Sequence, residues 1–247
     1  MSDMNKVEVR NLTKKFDDLL VLDNVSFDVK EGEFLCIVGP TGCGKTTFLN
    51  SLTKLYDITA GEILVNGAPV DLKKHNIAYI FQEYSTMPWL TIEDNVKYGL
   101  RVKKRPEKEI REKADQVIRL VGLEKYKSYY PVQLSASMLQ RVVIARAFAV
   151  EPELLLMDEP YGQLDLNLRF LLEDELLKLW RETGTTVIFI THNVEEAVYL
   201  AQRVLVLTNK PTTIRKEISI DLPYPRSIKD DKFVAYRNEI TELIKWW

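Results

Sequence analysis

The chain has few cysteines, no long hydrophobic run and a polar N-terminus. Its two cysteines are Cys36 and Cys43. A secreted domain held by disulfides would carry more, so we expect both to be reduced thiols of a cytosolic protein. No stretch approaches the about 18 consecutive apolar residues of a membrane-spanning helix, and the first residues lack the apolar centre of a signal peptide. We therefore expect any work at a membrane to depend on a partner.

The chain also lacks an excess of charge of one sign. It has 34 basic and 36 acidic residues, for a net charge of −2, whereas nucleic-acid-binding modules are usually visibly basic. We therefore expect no nucleic-acid partner. Hydrophobic residues make up 46% of the 247 residues, which suits one large α/β domain or a domain with an insertion.

Short apolar runs typical of buried strands alternate with helical patterns in much of the chain. Strands are predicted near residues 7–9, 21–29, 34–38, 62–65, 77–81, 154–157, 187–190 and 204–207. Helices are predicted at residues 44–55, 166–182 and 194–201. This alternation predicts a mostly parallel sheet. Between residues 88 and 151 helical periodicity dominates, with helices at 106–121 and 135–150, which predicts a helical insertion.

Residues 39–46 (GPTGCGKT), called here the phosphate loop, fit the pattern G-x-x-x-x-G-K-[ST] between a predicted strand and a predicted helix. Glycines let backbone N–H groups converge on phosphate oxygens, and the helix N-terminus favours an anion. Lys45 is predicted to reach the β- and γ-phosphates, and the Thr46 hydroxyl to bind Mg²⁺. The predicted nucleotide-binding residues here are Gly39, Pro40, Thr41, Gly42, Cys43, Gly44, Lys45, Thr46 and Thr47.

Cys43 lies inside this loop. Its simplest role is that of a small loop residue. A helix N-terminus can lower a thiol pKa, so we expect alkylation of Cys43 to impair ATP binding.

Acidic and imidazole side chains follow two other predicted strands. Asp158 and Glu159 end the apolar run LLLMDEP, and His192 follows the strand at 187–190. Because ligands bind at the carboxyl edge of parallel sheets, Asp158 is predicted to hold Mg²⁺ and Glu159 to polarise the attacking water. A lone histidine is more often structural, but the same edge favours contact of His192 with the γ-phosphate. His75 is expected in a surface loop.

These motifs, together with Phe16, Gln82, Asp165 and the segment around Ser135, occur in the order and approximate spacing of ABC ATPases. The resemblance covers nearly the whole chain. It implies an α/β P-loop NTPase (RecA-like) core with an antiparallel β subdomain and an inserted α-helical subdomain. We assign residues 1–86 and 152–247 to the core and residues 87–151 to the helical subdomain. The family also implies a head-to-tail dimer around two ATP molecules.

The resemblance assigns roles to single residues. Phe16 is similar to the aromatic residue that stacks on adenine. Gln82 is similar to the residue that senses Mg²⁺ and the attacking water, in a loop that contacts the membrane subunit, and Asp165 to a dimer-interface aspartate. The catalytic set is therefore Glu159, His192, Gln82 and Lys45. The Mg²⁺ set is Thr46, Gln82 and Asp158.

The chain departs from the family at its signature, Leu-Ser-Gly-Gly-Gln or a variant with methionine in fifth place. Residues 134–138 read LSASM, so Ala136 and Ser137 replace both glycines. Ser135 and Ser137 are assigned to the ATP of the opposite subunit. Two alternatives stay open: a homodimer that hydrolyses ATP normally, or a weakened subunit that pairs with a consensus ATPase in a heterodimer.

A finer resemblance is to the ATPases of nitrate, sulfonate and taurine importers. It rests on residues 81–84 (FQEY), 87–91 (MPWLT), 130–131 (YP) and 221–226 (DLPYPR). It implies a peripheral subunit at the cytoplasmic face of the cell membrane, with a membrane permease and, indirectly, an extracytoplasmic solute-binding protein. The alternatives are a soluble ABC ATPase, for example in cluster assembly, and an unrelated phosphate-loop kinase.

Overall fold

The computed structural model describes residues 4–162 and 164–244 of the chain. The β-strands of that part are β1 (Asn5–Phe16), β2 (Leu19–Lys30), β3 (Phe34–Val38), β4 (Ala60–Val65), β5 (Ala68–Pro69), β6 (Ile77–Ile80), β7 (Leu154–Asp158), β8 (Thr186–Thr191), β9 (Arg203–Leu207) and β10 (Ile214–Ser219). The α-helices are α1 (Lys45–Leu52), α2 (Ile92–Val102), α3 (Glu107–Leu120), α4 (Ala136–Ala149), α5 (Leu166–Thr183), α6 (Val194–Leu200) and α7 (Asp231–Ile244).

The chain divides into two compact units. The first unit contains residues 1–75 and 186–247, and the second contains residues 76–185. Within the described residues, no helix is both long enough and apolar enough to cross a membrane. The predicted helical subdomain at residues 87–151 lies inside the second unit, and its boundaries stay a prediction.

An antiparallel sheet in the first unit has the strand order β2-β1-β4-β5. Val7 and Val9 of β1 are buried and alternate with the less buried Glu8, as a sheet with one covered face requires. Strands β4 and β5 are joined by a hairpin turn at Asn66 and Gly67, a dipeptide typical of such turns. Both residues have positive φ values, 52° and 71°, which suits the two-residue turn between β4 and β5.

The first unit also contains parallel strands that position the phosphate loop. Strand β3 pairs in parallel with β8 and β9, and β10 pairs antiparallel with β9. All residues of β3 are buried, as its uninterrupted apolar sequence predicts. Val38 at the end of β3 pairs with Thr191 of β8 and with Val206 of β9. The carboxyl ends of these three strands therefore lie side by side.

The second unit pairs β6 with β7 in parallel and contains the helices α2 to α5. The helix predicted at residues 106–121 is observed as α3, in which Ile110, Ala114, Val117 and Ile118 are buried. The helix predicted at residues 166–182 is observed as α5, and Gly184 follows it in the left-handed conformation, φ 64°, that is common just after a helix.

The predicted end of one helix was wrong, and one strand was missed. Helix α1 was expected to reach residue 55 but ends at Leu52. Lys54 has φ 55°, which a continuing right-handed helix does not allow. Strand β10 was not predicted. Only Ile218 of its sequence IRKEIS is buried. This edge strand therefore lacks the alternation of apolar and polar residues by which a strand is predicted.

Candidate functional site

The phosphate loop joins β3 to α1, as predicted. Gly44 has φ 112°, and a Cβ there would lie 2.9 Å from Cγ1 of Val21. A Cβ on Gly39 would lie 3.0 Å from both the Cys43 Sγ and the Leu207 Cβ. A side chain at Gly44 would be strained and would clash, and one at Gly39 would crowd its neighbours, so glycine lets the main chain curl closely around a ligand. This geometry fits a nest of backbone N–H groups for phosphate.

Lys45 folds back over this loop. Its side chain is 5% exposed, and its Nζ donates hydrogen bonds to the carbonyl oxygens of Gly39 at 2.9 Å and Pro40 at 3.1 Å. Thr41 and Thr46 are exposed and Thr47 is half-buried. The hydroxyl of Thr46 is therefore accessible for a metal or a ligand.

Val38 of β3 pairs with Thr191 of β8. Gly39 follows Val38 directly, and His192 follows Thr191 directly. The turn that carries it is fixed on both sides. The Thr191 hydroxyl accepts a hydrogen bond from the Asn193 N–H at 2.9 Å and donates to the Glu196 carboxylate at 2.5 Å. His192 is exposed. The first unit thus places the histidine and the start of the phosphate loop at adjacent strand ends.

In the second unit, Ile80 at the end of β6 pairs with Met157 of β7. Asp158 is buried, and the Tyr79 hydroxyl donates to its Oδ2 at 3.4 Å. Gln82, two residues beyond the paired end of β6, is exposed. Gln82 and Asp158 therefore follow the ends of paired parallel strands.

Glu159 is half-buried and has φ 45°. A residue other than glycine seldom adopts this left-handed conformation. Such outliers concentrate at functional sites, where the surrounding structure imposes them.

Phe16 is 37% exposed and stands beside two residues that sequence reasoning missed. The Tyr56 ring meets it edge-on, with centroids 5.3 Å apart and planes at 88°. The Lys14 Nζ lies 4.5 Å from the Phe16 ring centroid, a cation–π contact. Tyr56 is far from Phe16 in sequence and belongs to no periodic pattern, so no local signal could have identified it.

The segment with the altered signature begins α4. Ser135 is the N-cap, and its hydroxyl accepts a hydrogen bond from the Met138 N–H at 3.3 Å. The Ser137 hydroxyl lies 3.1 Å from that of Ser135. Asp165 is likewise an N-cap, accepting from the N–H groups of Asn167 and Leu168 at the start of α5.

The thiol pKa of Cys43 is raised and not lowered, whereas the expected effect of its alkylation on ATP binding stays a prediction. The residue is 1% exposed, and burial raises the pKa of its thiol, while the nearby Lys45 lowers it less. Desolvation thus outweighs the helix N-terminus. Cys36 in β3 is also buried and a free thiol, and burial raises its pKa well above the ordinary value.

Asn95 is a structural residue that the sequence did not reveal. It is 0% exposed, and its amide accepts from the Met87 N–H and donates to the carbonyl oxygens of Met87, Leu90 and Thr91, all at 2.8–3.1 Å. These bonds fix residues 87–91, with Trp89 73% exposed.

Thr46 in the first unit, and Gln82 and Asp158 in the second, are the residues assigned to Mg²⁺ from the sequence. Among residues 4–162 and 164–244, no group of three or more His, Cys, Asp or Glu side chains could hold a metal ion. Mg²⁺ usually takes one or two protein oxygens and completes its octahedron with phosphate and water. The side chains of Thr46, Gln82 and Asp158 each carry an oxygen atom, and their binding of Mg²⁺ stays a prediction.

Comparison with known proteins gives one consistent answer. Residues 22–162 match the model of the ABC transporter family. An uncharacterized ABC transporter ATP-binding protein of Methanocaldococcus jannaschii is 44% identical over 244 residues, which cover 97% of this chain and 91% of the relative. The aliphatic sulfonates import ATP-binding protein SsuB of Bacillus cereus is 36% identical over 95% of this chain and 92% of the relative. The solved structure of a dimeric ATP-binding cassette with bound ADP and phosphate is similar with a TM-score of 0.76 and 32% identity, over 88% of this chain and 100% of the cassette.

The chain therefore belongs to the ABC transporter family. It is the ATP-binding subunit of a transporter and an ATPase, with the mixed α/β P-loop NTPase fold of the ABC cassettes. The family and fold inferred from the sequence are confirmed.

Proposed function

We propose that the chain powers an importer for a small anion of the nitrate, sulfonate or taurine kind. The relative SsuB, which is named for import of aliphatic sulfonates, matches 95% of the chain. The sequence segments at residues 81–84, 87–91 and 221–226 favour the same class. The subunit would work at the cytoplasmic face of the membrane, bound to a permease that receives its solute from an extracytoplasmic binding protein.

The pairing of Val38 with Thr191 is the observation on which the catalytic proposal rests, because it aligns the phosphate loop with His192. The N–H groups of the loop would hold the phosphates. Lys45 would exchange its bonds to the Gly39 and Pro40 carbonyls for bonds to the β- and γ-phosphates. His192 would contact the γ-phosphate, and Phe16 would stack on adenine.

Glu159 and the residues assigned to Mg²⁺ would supply the hydrolytic chemistry. Glu159 would orient and deprotonate the attacking water. Thr46, Gln82 and Asp158 would hold Mg²⁺, which neutralises charge on the phosphates when it is bound with ATP. Gln82 would contact Mg²⁺ and the attacking water while its loop contacts the permease, so a change at this site would move the loop against the permease.

A second ABC ATPase subunit, either another copy or a close relative, would complete each site. Ser135 and Ser137 would bind the γ-phosphate held by that partner, helped by the N-terminus of α4. The dimeric state of the ADP-bound cassette supports this arrangement.

The variant Glu159→Gln tests the mechanism, because it keeps the shape of the side chain but removes the base. We expect hydrolysis to fall by at least about 100-fold, while ATP binding persists and the ATP-bound dimer accumulates on size-exclusion chromatography. Glu182→Gln, at an exposed position of α5, is the matched control and should leave both properties unchanged. Full turnover of Glu159→Gln, or a monomer in saturating ATP, would contradict the proposal.

The transported solute needs its own experiment. The chain should be reconstituted in liposomes with the permease and binding protein encoded beside it, and uptake of labelled taurine, an alkanesulfonate and nitrate compared. ATP-dependent uptake of one of them, abolished by Glu159→Gln, is expected. Outward transport, or neighbouring genes without a permease, would refute the importer assignment.

A further inference from the structure

Residues 220–226, which follow β10, bring a buried arginine to the end of α6. Arg226 is 7% exposed. Its Nη1 donates to the carbonyl oxygens of Val198 and Ala201, each at 2.6 Å, and of Tyr199 at 3.3 Å. The Tyr224 hydroxyl donates to the Leu200 carbonyl at 2.6 Å.

Arg226 is also held within its own segment. Its Nε donates to the Leu222 carbonyl at 3.2 Å and its Nη2 to the Ile220 carbonyl at 3.4 Å. Its guanidinium carbon lies 4.1 Å from the centroid of the Tyr224 ring, a cation–π contact. The planar donor fork of the guanidinium is therefore oriented before it meets the helix.

These contacts satisfy the C-terminus of a very short helix. The last carbonyl groups of a helix lack partners within it, and here those of the last three residues of α6 and of Ala201, its C-cap, all accept bonds from Arg226 or Tyr224. A cation also interacts favourably with the negative end of the helix dipole. Helix α6 has seven residues, far fewer than the about 12 that an isolated helix needs to be even marginally stable. Its position therefore depends on such external contacts.

The opposite end of α6 begins directly after His192. Asn193 is the N-cap and accepts from the N–H groups of Glu195 and Glu196. The Thr191 hydroxyl, on the other side of His192, bonds to the carboxylate of Glu196 in the first turn. A shift of α6 would therefore move the turn that carries His192.

We infer that Arg226, assisted by Tyr224, is a positioning residue for ATP hydrolysis: by fixing the C-terminus of α6 it holds His192 in its place beside the phosphate loop. This inference rests on the proposed contact of His192 with the γ-phosphate. It gives residues 221–226, which the sequence offered only as a family resemblance, a physical role in the ATPase site.

Kinetics give the first test. Arg226→Met removes the hydrogen-bond donors and replaces them with a long apolar side chain. Arg215→Met, at an exposed position of β10, is the matched control. We expect Arg226→Met to lower kcat by about tenfold with KM for ATP changed less than about twofold, because misplacing one catalytic group slows the chemical step. In a His192→Ala background, single-turnover hydrolysis should not fall further. Additive losses in the double variant would overturn the inference.

The two histidines of the chain give a second, independent test. In histidine-labelled protein, Arg226→Met should shift or broaden the imidazole resonances of His192. Those of His75, whose Nδ1 accepts from the Asp71 N–H at 3.1 Å in the same unit, should stay unchanged. Unchanged His192 resonances in folded Arg226→Met would refute the positioning role.

The outcomes separate this inference from the proposed function. Full turnover of His192→Ala would remove the proposed role of His192, while the resonance test would still decide whether Arg226 positions it. If Arg226→Met does not fold, Tyr224→Phe supplies both readouts, since it removes one helix-end hydrogen bond and keeps the ring beside Arg226. We then expect smaller effects in the same direction, and no change in either readout would overturn the inference.

Discussion

The hydroxyl oxygens of Ser135 and Ser137 lie 3.1 Å apart at the start of α4, within hydrogen-bonding distance of each other. The family places glycine at the second of these positions. In this chain the added hydroxyl contacts the serine that the signature retains, and the N-cap of α4 is intact.

The double variant Ala136→Gly with Ser137→Gly tests whether the altered signature weakens the enzyme. We expect ATPase turnover within about twofold of the parent, because Ser135 remains exposed and the helix N-terminus is unchanged. Turnover is measured as steady-state phosphate release. Ser135→Ala, which we expect to be inactive, is measured for comparison. A rise of about tenfold or more would instead support a weakened subunit that pairs with a consensus ATPase.

Lys45→Ala should weaken ATP binding. Removing a charged donor typically costs about 1.5–3 kcal/mol, which corresponds to about 10- to 100-fold in affinity. Lys54→Ala, at an exposed residue just after α1, is the matched control and should bind ATP normally. Isothermal titration calorimetry of both variants decides the matter, and equal affinities would show that Lys45 does not contact the phosphates.

Cys43 should react slowly with alkylating reagents in the native protein. Burial raises its thiol pKa above the ordinary value of 9.0, so little thiolate is present near neutral pH. The rate should increase with pH. The folded protein favours the neutral thiol of Cys43, and this preference stabilises the fold. The stabilisation is complete at pH values below the pKa of the thiol in the unfolded chain, and it is lost as the pH rises through the pKa of the thiol in the folded protein.

Mass spectrometry of a Cys36→Ser variant, alkylated at two pH values with and without urea, measures this reactivity for Cys43 alone. Equal rates for native and unfolded protein at neutral pH would contradict the prediction.

Asn95→Ala should destabilise the second unit, because it leaves the half-buried Met87 N–H and the Leu90 and Thr91 carbonyls without a side-chain partner. We expect a loss of about 2 kcal/mol in the free energy of unfolding. Asn167→Ala, at an exposed position of α5, is the control. Urea denaturation compares the two, and a loss below about 0.5 kcal/mol for Asn95→Ala would show that the loop at residues 87–91 is held by other contacts.

The sequence predicted those features that depend on neighbouring residues. The strand before the phosphate loop, the helix after it and the helix at residues 166–182 each have a local pattern, and the structure confirms these elements. The end of α1 was missed because the left-handed conformation of Lys54 carries no glycine or proline signal.

Features that depend on distant residues were not predictable in this way. The pKa of Cys43 follows from burial, which the sequence of the loop does not encode. Arg226 meets carbonyl groups that lie 25 to 28 residues away, and Tyr56 meets Phe16 across two separate elements. The chemical roles of Glu159, Gln82 and Asp158 stay predictions until the variants are measured.

The left-handed conformation of Glu159 bears on how this protein could be engineered. Glycine or asparagine at that position would adopt φ 45° at lower cost. A screen for heat resistance alone would therefore favour replacing the proposed catalytic base, and the survivors would bind ATP without hydrolysing it. Thermostable variants of this subunit should be selected for turnover and melting temperature together, so that Glu159 is retained.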